Sequence, residues 1–438
     1  MQRFLYRRLE EWKTSKNRKP LLLYGARQTG KTFLLSEFGR KEFTFLHYLN
    51  FEKDAKAKAL FEETISSREL LSLLELYFGR KIDPAQDIIF LDEIQECPRA
   101  VTSLKYFYEE MPELAVCCAG TSSFPVGKVT ELTLYPMLFS EFLSELNPDL
   151  YSFYMNFIEK PGALSRYVHE ELWKSMLMYY FTGGMPEAVD ILVEEGTLSE
   201  DVRRRISSVH SNLLTGYRSD FAKHSGAVNA HHINRVFDQV PAQLSKDMNG
   251  GAARFTFKGV LPKANRYRDV VGPLDWLRAT GMVYAGNIIE SPVIPLQVQV
   301  RESIFKLFLF DIGLLHAMLD ISASEIVSTS YGSYKGFTAE NFVASQLIGA
   351  GVKRLYTWKG HTSEIEFLLL SRGEVIPIEV KAGMHTRRAK SLQVFKAKYH
   401  PPLSVKMSGR NFSFSNSYLN VPLYAAGDIF RILDSFAR

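Results

Sequence analysis

Gly25-Ala26-Arg27-Gln28-Thr29-Gly30-Lys31-Thr32 place two glycines, a lysine and a hydroxyl in the spacing G-x-x-x-x-G-K-T. Glycines at both ends let a backbone curl around an anion with its N–H groups pointing inward, and a helix starting there adds its positive end. A lysine in this position bridges β- and γ-phosphates, and the neighbouring hydroxyl ligates Mg²⁺. The eight residues therefore read as a nucleotide-binding loop for ATP and Mg²⁺. Such a site also needs a carboxylate at the end of a neighbouring strand. Asp87-Ile88-Ile89-Phe90-Leu91-Asp92-Glu93 supplies it after four apolar residues. Asp92 is expected to hold the Mg²⁺ shell with Thr32, and Glu93 to orient or polarise the attacking water. A further strand, Leu114–Ala119, runs into Gly120-Thr121-Ser122-Ser123. Thr121 is read as the hydroxyl sensor of the γ-phosphate, with Ser122 its close competitor and plain turn chemistry the alternative.

The elements that must carry these groups are legible around them. Leu21-Leu22-Leu23-Tyr24 is a buried strand leading into the loop, and Phe33–Phe38 continues as a helix. A second strand is expected within Phe43–Phe51, and the alternation of apolar runs with helical stretches predicts a parallel α/β domain. Leu5, Leu9 and Trp12 recur at helical spacing near the start, which predicts an amphipathic helix packed beside this core. From Phe139 to about Phe221 the pattern turns helical and aromatic, interrupted at Gly183-Gly184-Met185-Pro186, a helix stop and restart that could also present backbone to a ligand. Residues from Ser225 to Ile289 suggest helices with two short strands, Phe255–Phe257 and Met282–Ala285, compatible with a winged helix. Lys258, Lys263, Arg266 and Arg268 could then face DNA, although a solvated basic face is the commoner origin of such a cluster.

A second set of carboxylates lies near the C-terminal end. Glu340 sits in a helical run, Glu366 opens the apolar run Phe367–Leu370, and Glu379 and Lys381 share one face of the strand Val375–Lys381 because strand side chains repeat every two residues. If a hairpin sets Glu366 beside them and Glu340 completes the cluster, the carboxylates could bind a second Mg²⁺ or Mn²⁺ and the lysine could stabilise a phosphorane or activate water. Alone, Glu-x-Lys on a strand is an ordinary ion pair. In this context of helix, hairpin and strand, it has the layout of the PD-(D/E)xK nuclease-like fold.

Composition bounds the remainder. The 438 residues exceed what one hydrophobic core usually serves. Fifty-three Lys and Arg against 48 Asp and Glu leave a formal net charge of +5, too small to identify a nucleic-acid binder. The three cysteines, Cys97, Cys117 and Cys118, argue for a reducing, cytoplasmic setting and against disulfides or zinc. No long apolar run predicts a membrane anchor or signal peptide.

Together the motifs resemble the bacterial and archaeal AAA-related, STAND-like P-loop ATPases that carry a C-terminal domain of unknown function related to PD-(D/E)xK nucleases. The resemblance spans nearly the whole chain. It rests on the loop Gly25–Thr32, Leu91-Asp92-Glu93-Ile94-Gln95, Gly120-Thr121-Ser122-Ser123, Phe139-Ser140-Glu141-Phe142, Gly183–Glu187, Phe305–Leu315 with its Asp311-x-Gly313-Leu314-Leu315, and the Glu366 and Glu379-Val380-Lys381 pattern. It implies an AAA-type core over residues 1–145, a helical region over 146–224, a winged-helix-like region over 225–300 and a nuclease-like α/β domain over 301–438. It also implies ATP binding with slow hydrolysis. Two positions depart from the pattern. The loop after Gly120 is short and offers Lys128 where an arginine is usual, leaving Arg218 as the candidate finger. Glu366 stands where active nucleases hold Asp. The expected function is an ATPase whose nucleotide state controls a DNA-directed C-terminal module. The alternatives are a metal-dependent nuclease licensed by ATP, and a nucleotide-switched scaffold whose partner is a protein or a second copy of the chain.

Overall fold

The computed structural model describes residues 3–120, 128–225, 227–245, 254–262, 265–327, 335–383 and 389–436. It divides into two compact units, 1–135 and 136–438.

The first unit contains α1 (Leu5–Lys13), β1 (Leu21–Tyr24), α2 (Lys31–Glu42), β2 (Phe45–Asn50), α3 (Ala55–Glu63), α4 (Ser67–Phe78), β3 (Asp87–Asp92), α5 (Pro98–Glu110), β4 (Ala115–Ala119) and β5 (Thr130–Thr133). All strand pairings are parallel, in the order β2-β3-β4-β1-β5. β1, β3 and β4 are buried along their whole length, which is why they read as apolar runs, in β3 bounded by Asp87 and Asp92. Alternate residues feed two cores. Leu22, Ile89, Leu91, Val116 and Cys118 pack with Phe61, Leu74 and Phe107 from α3, α4 and α5. Leu21, Leu23, Ile88, Phe90 and Cys117 pack with Leu9 and Trp12 of α1 and Leu34, Leu35 and Phe38 of α2. Helices therefore cover both faces, and α1 lies against the core as its spacing predicts. The acidic strand is not adjacent to β1, contrary to the expectation of a neighbouring strand, because β4 intervenes.

The second unit begins with α6 (Phe139–Leu146), α7 (Pro148–Glu159), α8 (Arg166–Thr182), α9 (Pro186–Glu195), α10 (Glu200–Ser225), α11 (Ala227–Ser245) and α12 (Val271–Ala279). It continues through β6 (Val283–Ile289), β7 (Phe305–Leu309), α13 (Ile312–Met318), α14 (Ala323–Val327), α15 (Lys335–Gly349), β8 (Leu355–Lys359), β9 (Glu364–Ile365), β10 (Phe367–Ser371) and β11 (Glu374–Lys381). It closes with α16 (Lys390–Tyr399), β12 (Ser404–Ser408), β13 (Ser413–Ser415), β14 (Tyr418–Pro422) and α17 (Ile429–Asp434). One sheet has the order β7-β6-β8-β9 and the other β10-β11-β12-β14-β13. β6 pairs antiparallel with β7 and parallel with β8. The expected division at 300–301 thus falls within a sheet. Phe255–Phe257 forms no strand; only the Phe255 N–H reaches the Phe305 carbonyl, at 2.7 Å.

α8 stops where the double glycine predicts. Gly183 has φ 71°, and Pro186 opens α9. The freed backbone serves the fold rather than a ligand. Gly184 N–H donates to Asp311 Oδ2 at 2.7 Å, and its carbonyl accepts from Met137 N–H at 2.7 Å. A Cβ on Gly183 would lie 2.3 Å from Asp311 Oδ1, and one on Gly313 would lie 2.7 Å from the Thr182 carbonyl oxygen. The two glycine-containing motifs are therefore halves of one packed junction. Burial pushes the Asp311 carboxyl up to about 6 against the pull of its backbone donors.

Candidate functional site: the phosphate loop and the C-terminal carboxylate cluster

The loop occupies the turn between β1 and α2. Gly25 has φ 149°, and a Cβ there would lie 2.2 Å from the Leu134 carbonyl oxygen, so only glycine lets this turn approach the strand end so closely. Gly30, at φ 94°, caps α2. Lys31 is 7% exposed, and its ammonium donates to the Gly25 and Ala26 carbonyls at 2.9 and 2.8 Å. Burial pulls its pKa down to about 8, although Glu93 and Asp92 favour its charge. Held among the described residues by neutral carbonyls, this buried cation fits a polyphosphate.

Asp92 ends β3. Its Oδ2 accepts from Thr32 Oγ1 at 3.0 Å, from Tyr48 OH at 2.9 Å and from Asn50 Nδ2 at 3.3 Å. Burial first, and the Asp92 charge among later causes, push the Tyr48 phenol up to about 12, so it stays a donor. The Thr32 hydroxyl and Asp92 carboxylate form a hard oxygen pair suited to Mg²⁺, so these two residues would hold that ion beside the phosphates. Bound there, Mg²⁺ would neutralise charge on the phosphate oxygens. Glu93 adopts the left-handed conformation, φ 50° and ψ 46°, and its Oε2 accepts from Gln95 Nε2. A non-glycine residue held in that region is uncommon and here sits beside the pair just described. Thr121 and Ser122 lie outside the described residues. Lys128 pairs with Glu109, and Arg218 pairs with Asp238 at 3.0 Å on an exposed surface of the second unit.

At the other end of the chain, β10 and β11 form the expected hairpin, pairing Phe367 with Ile378. It brings Glu366, Glu379 and Lys381 together. Lys381 Nζ lies 3.4 Å from Glu366 Oε1 and 3.0 Å from Glu379 Oε1. The remaining oxygens are also engaged. Glu366 Oε2 accepts from Val380 N–H at 3.1 Å, and Glu379 Oε2 from Leu392 N–H at 3.2 Å. Burial raises the Glu366 carboxyl well above the ordinary range, against Lys381 and with help from Glu340 and Glu379. Burial lowers the Lys381 ammonium pKa, but the two carboxylates outweigh it and hold the group high.

Glu340 lies close enough for its charge to help raise the Glu366 carboxyl, and it pairs with a further lysine. Its Oε2 lies 3.1 Å from Lys306 Nζ, which also reaches Glu364 Oε1 at 2.5 Å. Lys306 comes from β7 and its side chain is 1% exposed. Its signal in the sequence was a lone lysine inside the apolar run Phe305-Lys306-Leu307-Phe308-Leu309. Among the described residues no group of three or more His, Cys, Asp or Glu is placed to hold a metal ion. The donor set therefore does not fit the second Mg²⁺ or Mn²⁺ expected from the sequence: lysines and backbone N–H groups occupy the carboxylates instead.

Residues 17–143 match a family described as AAA domain. The first unit holds an ATP-binding, AAA-type P-loop domain. Residues 174–325 and 335–425 match two families described as domains of unknown function, DUF8612 and DUF4143. No curated protein matches the chain. Similar solved structures include the Aeropyrum pernix ORC1 protein in complex with DNA, at 18% identity, covering 72% of this chain and 91% of that one, with TM-score 0.29. Another is Drosophila ORC bound to DNA, at 14% identity, 72% and 84% coverage and TM-score 0.27. A third is a Pyrococcus horikoshii STAND protein with a tetratricopeptide repeat sensor, at 13% identity, 80% and 45% coverage and TM-score 0.30. Likenesses this low carry no argument about site or partner. Among the described residues no helix is long and apolar enough to cross a membrane.

Proposed function

We propose that the chain is a Mg²⁺-dependent ATPase whose nucleotide state switches a DNA-directed C-terminal module. The observation carrying the first half is the pairing of a buried Lys31 held by loop carbonyls with a Thr32–Asp92 contact of 3.0 Å. Lys31 grips the phosphates, Thr32 and Asp92 hold Mg²⁺, and Glu93 orients the attacking water from its constrained backbone. Thr121 remains the proposed sensor. Lys31→Ala should weaken ATP binding by at least a hundredfold in titration calorimetry. Glu93→Gln should keep binding and lower turnover by about 10²–10³. Unchanged turnover in both variants would overturn the reading.

Support for a DNA-directed module is the succession of α11, α12 and the antiparallel β6–β7 pair, with exposed Arg266 and Arg268 beside α12. DNA binding that weakens steeply with salt tests this half; no binding at low ionic strength favours the protein-partner scaffold. A second reading, nuclease action, draws on the meeting of Glu366, Glu379 and Lys381 at the hairpin. The engaged carboxylates weigh against it. Cleavage of plasmid DNA with Mn²⁺ that is lost in Glu379→Ala would restore it.

A further inference from the structure

We propose that Arg3 is a positioning residue for the phosphate loop, fixing the direction of one anion-binding N–H. Arg3 is 7% exposed. It donates through Nη1 to the Thr29 carbonyl at 3.0 Å and through Nη2 to the Tyr135 carbonyl at 2.6 Å. Arg3 thus spans the middle of the loop and the last residue of the first unit, although it lies 26 residues before one partner and 132 before the other.

The consequence follows from the peptide plane. In a trans peptide the C=O of one residue and the N–H of the next point in opposite directions. Holding the Thr29 oxygen against Arg3 therefore turns the Gly30 N–H the other way, toward the space the loop encloses. Gly30 needs such a restraint. At φ 94° it occupies a conformation from which a glycine peptide reorients at little steric cost. Its own carbonyl is fixed separately by Leu34 N–H at 2.9 Å in the first turn of α2. Thr29 Oγ1 anchors to the Ala26 carbonyl at 2.9 Å, which steadies the side chain and leaves the Thr29 carbonyl to Arg3. The second guanidinium arm binds the segment against which the loop already packs, where Leu134 N–H meets the Tyr24 carbonyl at 2.7 Å. Nucleotide binding would then tighten the whole clamp, because an N–H engaged by phosphate holds the same plane that Arg3 holds.

This inference rests on the loop's binding phosphate, so Lys31→Ala runs beside it. In the full-length chain, Arg3→Met should weaken both MgATP and MgADP binding about tenfold, the loss of one charge-assisted hydrogen bond. Arg3→Lys, whose ammonium reaches one carbonyl, should weaken both about threefold. Hydrogen exchange of nucleotide-free Arg3→Met should rise in peptides covering 25–31 and stay at the parent level in those covering β3 and β4. Affinities within twofold of the parent, or exchange raised evenly across the unit, would overturn the proposal. Should Arg3→Met fail to fold, parent-like affinity of Arg3→Lys overturns it equally. If Lys31→Ala itself binds nucleotide as the parent does, the phosphate-loop reading fails and this proposal with it. Loss in Lys31→Ala beside a parent-like Arg3→Met removes Arg3 alone.

Discussion

Both ends of this chain bury lysines beside carboxylates, yet the two sets are satisfied in opposite ways. In the phosphate loop, Lys31 rests on neutral carbonyls and Asp92 accepts from a threonine, a tyrosine and an asparagine. Cation and anion stand close without pairing. In the C-terminal cluster, Lys306 bridges Glu340 and Glu364, and Lys381 bridges Glu366 and Glu379. A site awaiting a charged ligand keeps its cation and anion apart at some expense in stability, whereas in the C-terminal cluster every one of the four carboxylates is engaged by a lysine, with negative charge in excess. The difference separates a motif from a site prepared for a ligand better than residue types do, since both ends carry the types their motifs require.

The largest effects should have opposite signs at the two ends. Lys306→Met leaves two half-buried carboxylates without their shared, buried cation and should cost the second unit up to about 3 kcal/mol in chemical denaturation. Adding Glu364→Gln should return part of that loss. Lys31→Met removes a buried, uncompensated charge and should leave the nucleotide-free first unit as stable as the parent or more so, while abolishing nucleotide binding. A Lys306→Met protein of parent stability, or a Lys31→Met protein that loses several kcal/mol without nucleotide, would erase the distinction.

Local sequence carried much of the frame and little of the pairing. β1, β3 and β4 were legible because both faces are buried and the residues between the two aspartates of β3, like those of β1 and β4, form an apolar run. The arrest of α8 at Gly183 was legible because the double glycine and Pro186 act locally. What lies between β1 and β3 was not, since strand order is decided by packing across the whole sheet. Arg3 and Lys306 were missed for the same reason. Each meets its partners only after tens of residues of intervening chain have folded, and nothing beside either residue marks the carbonyl or carboxylate it will reach. Asp311 and Gly183 were noticed as separate motifs. That the glycine lacks a side chain to admit that carboxylate is a fact of distant contact.

A middle-sized effect follows from titration. In the free protein Lys31 has its pKa lowered to about 8 by burial, whereas a bound polyphosphate would hold the ammonium charged to higher pH. The sign is fixed by that difference. Below pH 8 the lysine is already protonated and its titration leaves affinity unchanged. Above pH 8 binding must take up a proton, so affinity should fall by up to about tenfold per pH unit until the complex itself deprotonates. Calorimetry at pH 9 in buffers of different ionisation enthalpy should report that uptake. Lys381, held high by Glu366 and Glu379, should show no titration in this window. Lys31 behaving likewise would mean that its charge is compensated after all.

The smallest effect tests whether the Asp92 arrangement is redundant. Tyr48→Phe removes one of three donors from Oδ2 and leaves Thr32 and Asn50 in place. The lost hydrogen bond should cost about 1 kcal/mol of stability. Freed of one donor, the carboxylate is also a slightly stronger ligand for a cation, which works against any loss of orientation. MgATP affinity should therefore stay within about threefold of the parent, measured at saturating Mg²⁺ and again near the Mg²⁺ midpoint. A loss as large as that expected for Lys31→Ala would make Tyr48 the group that holds Asp92 in place. The first site would then depend on its internal partners as heavily as the C-terminal cluster does, and the contrast between an open site and a closed network would fail at the residue where it is most exposed to test.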